Sequence, residues 1–159
     1  MKSRIRAALV VASTLAGAGI LAGPAQASTL YPWGTLGAGN LAKATGHVYN
    51  NGGVQIEDAS YQYQIENGDN GAYVSSAFMY WESGYDCGYN ASFDPISCWY
   101  RPSTDFQTKR TKQHSWVWGA SYEGLREYGT AARAQEKVCE DISWWPDTCS
   151  ATATLTFSY

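Results

Sequence analysis

The most apolar stretch after residue 28, Ala72–Trp81, reads AYVSSAFMYW. Its residues predict a strand, and the end of the run is too apolar for either face to meet water. The run before it, Ala59–Ile65, alternates polar and apolar residues with a period of two. Between the two runs lies Glu66–Gly71, whose asparagines and glycines are typical of a turn. The sequence therefore predicts two neighbouring strands joined by a short turn.

The same period of two extends outward in both directions. Gly46–Tyr49 and Val54–Ile56 flank a turn of asparagine and glycine, residue types that tolerate the positive φ of a hairpin turn. Downstream, Gln113–Tyr122 is predicted as a strand with Trp116 and Trp118 on one face. Strand signals therefore lie on both sides of the central run.

Two C-terminal segments complete the pattern. Ala151–Tyr159 is β-branched and alternating. Gly129–Val138 contains residues that favour a helix, but its partners are strands, so we predict a strand there. About six to eight short strands with polar turns predict an all-β fold. We expect a small antiparallel sandwich or barrel with two short disulfide-closed loops at its ends.

The first 27 residues carry the three parts of a secretory signal peptide: a basic start, an apolar run and the small-residue cleavage site Ala25–Ala27. The apolar run falls short of the roughly 20 residues that a membrane-spanning helix needs. We predict a signal peptide over 1–27, an extended N-terminal arm over 28–42 and a β-sandwich domain over 43–159. The protein is therefore expected to be secreted and extracellular.

The charge disfavours two classes of partner. Without the three leader cations, the remaining basic residues stand against fourteen acidic ones, a net charge near −6. Such a protein is repelled by nucleic acid and by anionic membrane surfaces. We expect neither nucleic-acid binding nor membrane insertion, and we expect the basic run Lys109–Lys112 to be a solvated strand or loop.

All four cysteines follow the leader, and an even count in an oxidising compartment implies two disulfides. Three pairings are possible. We favour Cys87–Cys98 and Cys139–Cys149, because each closes a short loop dense in turn formers and aromatics. In the chain-entropy model each bond stabilises the fold by roughly 3 kcal/mol. A zinc site would require closer paired spacing.

The chain carries 12 Tyr, 7 Trp and 4 Phe, all after the leader, and they are more than a core of this size can bury. Exposed aromatic side chains indicate binding, since rings stack on sugars and dominate protein interfaces. The alternative is that half of them pack beneath the loops. On and beside the two cysteine loops we expect the partner-binding residues Tyr85, Tyr89, Trp99, Tyr100, Trp144 and Trp145.

Catalytic and metal motifs have little support. The two histidines do not form a metal-binding motif, and Gly119–Gly124 is one residue too long for a nucleophile elbow. Glu82 and Asp86 lie beside Trp81 and could serve a glycosidase, which needs two carboxylates across a sugar cleft. We expect no catalytic residue, no metal and no cofactor.

The segment after the leader, Ser28–Asn40, reads STLYPWGTLGAGN and shows neither alternation nor helical period. Pro32 holds its neighbour extended, and the glycines loosen the chain. An extended arm of this kind can fold back over its own sheet edge, or it can enter a partner's groove and gain backbone hydrogen bonds there. Both arrangements are open from the sequence.

The leader, this aromatic and glycine-rich arm, the two short cysteine loops and the closing strand TLTFSY resemble the small secreted proteins of actinomycetes. More narrowly, the plan is similar to the adaptor subunit of umbrella toxin particles. In that family a small β protein joins a long, repeat-bearing toxin stalk to trypsin-like lectin subunits. The adaptor's N-terminal region enters a cleft in the lectin. The resemblance implies that Leu30, Tyr31, Pro32 and Trp33 contact a lectin.

Together these observations predict a secreted, non-enzymatic adaptor that binds other proteins in an extracellular antibacterial toxin assembly. Its partners would be other secreted proteins, including a lectin subunit and a repeat-containing toxin. A secreted carbohydrate-binding module or an inhibitor of a secreted hydrolase is the first alternative. A small cell-wall hydrolase that uses Glu82 and Asp86 is the second.

Overall fold

The computed structural model describes residues 29–50, 55–64 and 70–159, and for residues 55 and 58–64 it describes the backbone alone. The predicted leader and parts of the two predicted turns, residues 51–53 and 66–69, lie outside this range. The described chain forms ten β-strands and no helix, so the prediction of an all-β fold is confirmed. The strands are β1 (Thr29–Ala38), β2 (Ala42–Asn50), β3 (Gln55–Gln64), β4 (Gly71–Ser83), β5 (Ser97–Tyr100), β6 (Phe106–Gln107), β7 (Val117–Gly124), β8 (Ala131–Asp141), β9 (Thr148–Cys149) and β10 (Ala153–Ser158).

Two antiparallel sheets share one core and curl into a half-barrel. The first sheet has the order β1-β2-β3-β7, and the second has β10-β8-β4-β5, with β6 on β4 and β9 on β8. Residues of β1, β2 and β3 contact β4 and β8 across the core. The core consists largely of small side chains, with Phe78 and Tyr80 as its largest fully buried rings.

The β4 strand behaves as predicted over most of its length and differs at its end. Its first eight residues are buried on both faces, and after that inward and outward residues alternate. Trp81 is 38% exposed, although the ring of its ladder partner on β5, Trp99, contacts it edge-on. The prediction that the end of this strand avoids water on both faces is therefore wrong.

The β8 strand is formed by a segment with helix-favouring residues. It pairs with β4 on one edge and with β10 on the other, so that its backbone groups enter two ladders. Alternate side chains, among them Ala134, Glu136 and Val138, point into the core. The tertiary pairing overrides the local helix propensity, as commonly happens.

Residues 29–38, which lie in the predicted arm over 28–42, form the edge strand of the first sheet. They form β1, which pairs with β2 throughout, apart from a bulge between Pro32 and Gly34. The Trp33 side chain is 7% exposed and lies in the core, and the Tyr31 ring stacks on Phe157 at 4.9 Å. The sequence left two arrangements open for this segment. In the structure the segment pairs with the protein's own sheet.

Short and shifted strands mark the remaining differences from the sequence. The strand expected over 113–122 begins at Val117 and ends at Gly124. Three short strands were not predicted: β5 with four residues, and β6 and β9 with two residues each. Segments this short have no readable period, and their conformation is set by the backbone groups that β4 and β8 offer them.

The burial of Trp33 generates a stability prediction. We expect Trp33→Ala to lower the free energy of unfolding by about 3–5 kcal/mol, because it removes a large core side chain. Leu30→Ala, at an exposed position of the same strand, should change it by less than about 0.5 kcal/mol. Urea unfolding followed by fluorescence measures both. Equal, small effects would mean that β1 is a dispensable arm after all.

Candidate functional site

Both predicted disulfides are present, Cys87–Cys98 and Cys139–Cys149. Cys139 lies opposite Tyr73 near the start of β4, whereas Cys87 follows the end of β4 at Ser83. At about 3.3 Å per strand residue, the two bonds are roughly 30 Å apart along β4. We call residues 84–98 the first loop and residues 139–149 the second loop. They lie at opposite ends of the sandwich, as the sequence predicted.

The first loop is built around the side chain of Asn90. Its Oδ1 accepts hydrogen bonds from the amides of Ser92 and Asp94 at 2.8 and 2.9 Å, and its Nδ2 donates to Asp94 at 3.0 Å. The backbone pairs Tyr89 with Pro95, so the tip is a small hairpin. The loop therefore has a defined conformation although most of it is exposed.

The aromatic residues of this region divide into two groups. Tyr85, which is 91% exposed, and Tyr89 are open, together with Phe93 at the tip of the loop. Trp99 is half-buried: its ring meets Trp81 edge-on at 5.5 Å. The guanidinium of Arg133 lies 3.9 Å from the centroid of the Trp99 ring. Tyr100 is also half-buried, and the Arg126 guanidinium lies 4.7 Å from its ring.

Glu82 and Asp86, the carboxylates considered for hydrolysis, both form ion pairs with Arg126. Glu82 is 5% exposed on the inner side of β4. Burial raises the pKa of the Glu82 carboxyl, and the attraction of Arg126 only partly offsets this. A glycosidase holds its two carboxyl groups free on either side of a sugar. Here one guanidinium joins both carboxylates and clamps the segment before β8 to the base of the first loop.

Ser121 is the serine of Gly119–Gly124, the segment compared with a nucleophile elbow, and it is held by hydrogen bonds in the core. It lies within β7 rather than at a strand-to-helix turn, and its hydroxyl donates to Ser76 at 3.2 Å. The Ser76 hydroxyl in turn donates to the buried carboxylate of Glu136 at 2.6 Å. These three side chains link β7, β4 and β8 through the core. The strand that carries Ser121 ends at Gly124.

The second loop presents two tryptophans on a pinned base. Trp144 is 100% exposed and Trp145 is 75% exposed. Beneath them Asp147 accepts hydrogen bonds from the Tyr73 hydroxyl and from the amide of Ile142. Burial, followed by the hydrogen bond to Asp147, raises the pKa of Tyr73 to about 12, so this donor stays protonated at neutral pH. The indole rings thus stand on a fixed support.

The four predicted contacts on β1 are placed very differently. Leu30 and Pro32 are exposed, Tyr31 is half-buried against Phe157, and Trp33 lies in the core. A partner can therefore reach Leu30 and Pro32 without any change in the fold. Contact with Trp33 would require β1 to leave the sheet.

A third aromatic surface was not predicted as a site. Trp118 and Tyr122 are exposed on β7, and Trp116 is exposed just before this strand begins. The Lys43 ammonium lies 5.1 Å from the centroid of the Trp116 ring. Beside them, a groove of about 400 Å³ runs between Phe106–Gln107 and β7. The sequence pattern with a period of two predicts Trp116 and Trp118 on one face of a strand. The same pattern, followed four residues further along the chain, places Tyr122 on that face.

Comparison with known proteins finds no protein family that matches the chain and no curated protein with significant sequence similarity. Within residues 29–50, 55–64 and 70–159, no group of three His, Cys, Asp or Glu side chains is placed to hold a metal ion. In the same part of the chain, no helix has the length and apolar character needed to cross a membrane.

The Arg126 clamp generates a prediction with a defined pH dependence. We expect Arg126→Met to cost about 3–5 kcal/mol at pH 7, because it leaves the Glu82 carboxylate buried without its cation. The folded-state pKa of Glu82 is raised, so the folded protein takes up this proton more readily than the unfolded chain does. The cost should therefore shrink as the pH falls from 7 to 5. Thermal unfolding across this range measures it.

Two variants control this experiment. Arg126→Met combined with Glu82→Gln should recover part of the loss at pH 7, since the side chain at position 82 then carries no charge. Arg110→Met removes an ion pair with Asp141 in which both side chains are about 40% exposed, so it should cost less than about 1 kcal/mol. A cost for Arg126→Met that does not vary with pH would contradict the role assigned to Glu82.

Proposed function

We propose that this protein is a secreted, non-enzymatic adaptor that holds other extracellular proteins at its two disulfide loops. The observation that carries the proposal is the placement of bare aromatic side chains on both loops, at opposite ends of one rigid sandwich. The two disulfides are compatible with an extracellular protein.

The exposed rings support binding because they add nothing to the core. Tyr85, Trp144 and Trp145 are each at least 75% exposed, so their apolar surface remains in water in the isolated protein. Tyrosine and tryptophan are the residues most enriched among the energetic centres of protein interfaces. Their support by disulfides and hydrogen bonds reduces the entropy that a partner must overcome on binding.

The separation of the loops supports an adaptor rather than a single-partner binder. An interface of standard size covers about 800 Å² on each partner. The two loops lie roughly 30 Å apart at opposite ends of a strand, which is about the full width of one such patch. A standard interface centred on one loop therefore does not extend to the rings of the other, so each loop can hold a partner of its own.

The resemblance to umbrella toxin adaptors supplies the expected setting, an antibacterial assembly with a lectin subunit and a repeat-containing toxin as partners. On this proposal Leu30 and Pro32, which are exposed on β1, contribute to the lectin contact. Tyr31 and Trp33 instead hold β1 in place.

A carbohydrate-binding role is the second candidate, and the outer surface of β7 favours it. Trp118 and Tyr122 are exposed and lie four residues apart on one strand, roughly 13 Å, and Tyr122 also borders a groove. Flat, exposed rings of this kind can stack on sugar faces. A glycan array with the protein and with Trp118→Ser/Tyr122→Ser tests this role directly.

The adaptor proposal predicts that each loop retains its own set of proteins. Tagged protein would be recovered from the culture fluid of the producing organism, and bound proteins would be identified by mass spectrometry. We expect Trp144→Ser/Trp145→Ser and Tyr85→Ser/Tyr89→Ser to lose different proteins, because the loops are far apart. Trp118→Ser, an exposed ring away from both loops, is the control. Loss of the same proteins from both double variants, or of none, would refute the adaptor role.

A further inference from the structure

Two residues other than glycine have a positive φ in the part of the chain that the structure describes, Phe93 at 61° and Trp144 at 71°. Left-handed backbone is uncommon for any L-residue with a bulky side chain. One of these residues lies in each disulfide loop. They are also the bare tips of those loops, with Phe93 87% and Trp144 100% exposed.

Phe93 occupies a hairpin position that normally requires glycine. The amide of Phe93 donates to the carbonyl of Asn90 at 3.0 Å, and the amide of Asn90 donates to the carbonyl of Asp94 at 2.9 Å. These bonds enclose a three-residue loop, Ala91–Phe93. In such loops a turn is followed by one left-handed residue, and that residue is usually glycine.

Trp144 occupies the left-handed position of a turn in the second loop. The amide of Trp145 donates to the carbonyl of Ile142 at 3.2 Å, which closes a four-residue turn. Trp144 is the third residue of this turn and has a positive φ, whereas Ser143 does not. This is the type II pattern, whose third residue is normally glycine or asparagine.

Neither ring contributes buried surface that would offset the strained backbone. A side chain that is almost fully exposed gains no burial on folding, while left-handed backbone costs free energy in a residue with a Cβ. Folding alone would favour glycine or asparagine at both positions. Strained residues of this kind cluster where a protein contacts a ligand.

We propose that Phe93 and Trp144 are rigid anchors that insert into protein partners, an inference that rests on the adaptor function proposed above. The turn hydrogen bonds and the disulfides fix the backbone of each tip, and with it the direction in which the side chain leaves the chain, before binding. An anchor of this kind needs an apolar pocket on the partner.

The charges around Phe93 define its partner further. Tyr85, Tyr89 and Ile96 are exposed in the same loop. The charged side chains of the loop are the carboxylates of Asp94, which is exposed, and of Asp86, which is paired with Arg126. The two neighbouring cations are also engaged, since Arg126 joins Glu82 and Asp86 and Arg133 lies over the Trp99 ring. The surface is therefore apolar with an acidic edge. The partner pocket that fits it is apolar and bordered by lysine or arginine.

The first test measures the strain without any partner. Because asparagine tolerates left-handed backbone, Phe93→Asn and Trp144→Asn should each raise the melting temperature by about 3–5 °C. Tyr128→Asn removes an exposed ring at a residue without positive φ and should give no increase. Phe93→Gly and Trp144→Gly repeat the test with the residue usual at these positions. A lower melting temperature for both substitutions at either site would show that its ring serves folding, which would overturn the inference.

The second test measures binding with the immobilised full protein and the secreted proteins of the producing organism as the probe. We expect Phe93→Asn to reduce capture of the first-loop proteins at least tenfold, while Trp144→Asn leaves those proteins bound and loses the second-loop proteins. Raising the salt from roughly 0.05 to 0.5 M should weaken capture through Phe93 several-fold, since salt screens charge pairs.

The outcomes separate the anchor from the adaptor function. If Tyr85→Ser/Tyr89→Ser loses proteins that Phe93→Asn retains, the anchor is wrong and the adaptor function stands. If capture through Phe93 is unchanged by salt, the cationic border is wrong. If the unmodified protein captures nothing, the adaptor function fails and the anchor fails with it, even where the melting temperatures rise as expected.

Discussion

The antiparallel pairing of β4 with β8 is the constraint on which the rest of the structure depends. It joins Gly71–Trp81 to Ala131–Asp141 without interruption. Because side chains alternate along a strand, this single register determines which residues of both strands enter the core. It also sets the distance between the two disulfide loops, since one follows the end of β4 and the other begins in β8. The geometry of the proposed adaptor is thus a consequence of one strand pair.

The composition of the core explains why so many rings remain outside. Small residues such as Ala42, Ala44, Ala132 and Ala134 occupy much of the interface between the sheets, which leaves little room for large side chains. The interior also accommodates a polar chain from Ser121 through Ser76 to Glu136. Among the side chains that the structure describes, rings outside the core pack on an outer face, as Trp99 does against Arg133, or stay in water, as Trp144 and Trp145 do.

Residues that resemble catalytic groups serve to support these loops. Arg126 joins Glu82 and Asp86 at the base of the first loop, and Asp147 joins Tyr73 to the second. Both arrangements use charge or hydrogen bonding to hold a loop whose tip is strained and apolar. These stabilising contacts lie beneath the tips, whereas the tips themselves carry side chains that folding alone would not favour. This division is what makes binding the best-supported use of the surface.

Local patterns in the sequence determined the strand periods, the all-β class and the cysteine pairs that short loops bring together. They also identified Tyr85, Tyr89, Trp144 and Trp145 as exposed rings, because these residues lie in turn-rich segments with no strand to bury them. The partly buried positions of Tyr31, Trp99 and Tyr100 depend on the tertiary structure, because these rings contact Phe157, Arg133 and Arg126, which lie far away in the chain. The burial of Trp33 in the core likewise follows from the packing of the two sheets. The same holds for the left-handed backbone of Phe93 and Trp144. Glycine is the usual residue at such positions, so a Phe or a Trp there does not indicate left-handed backbone. The hydrogen bonds that close each turn impose this conformation.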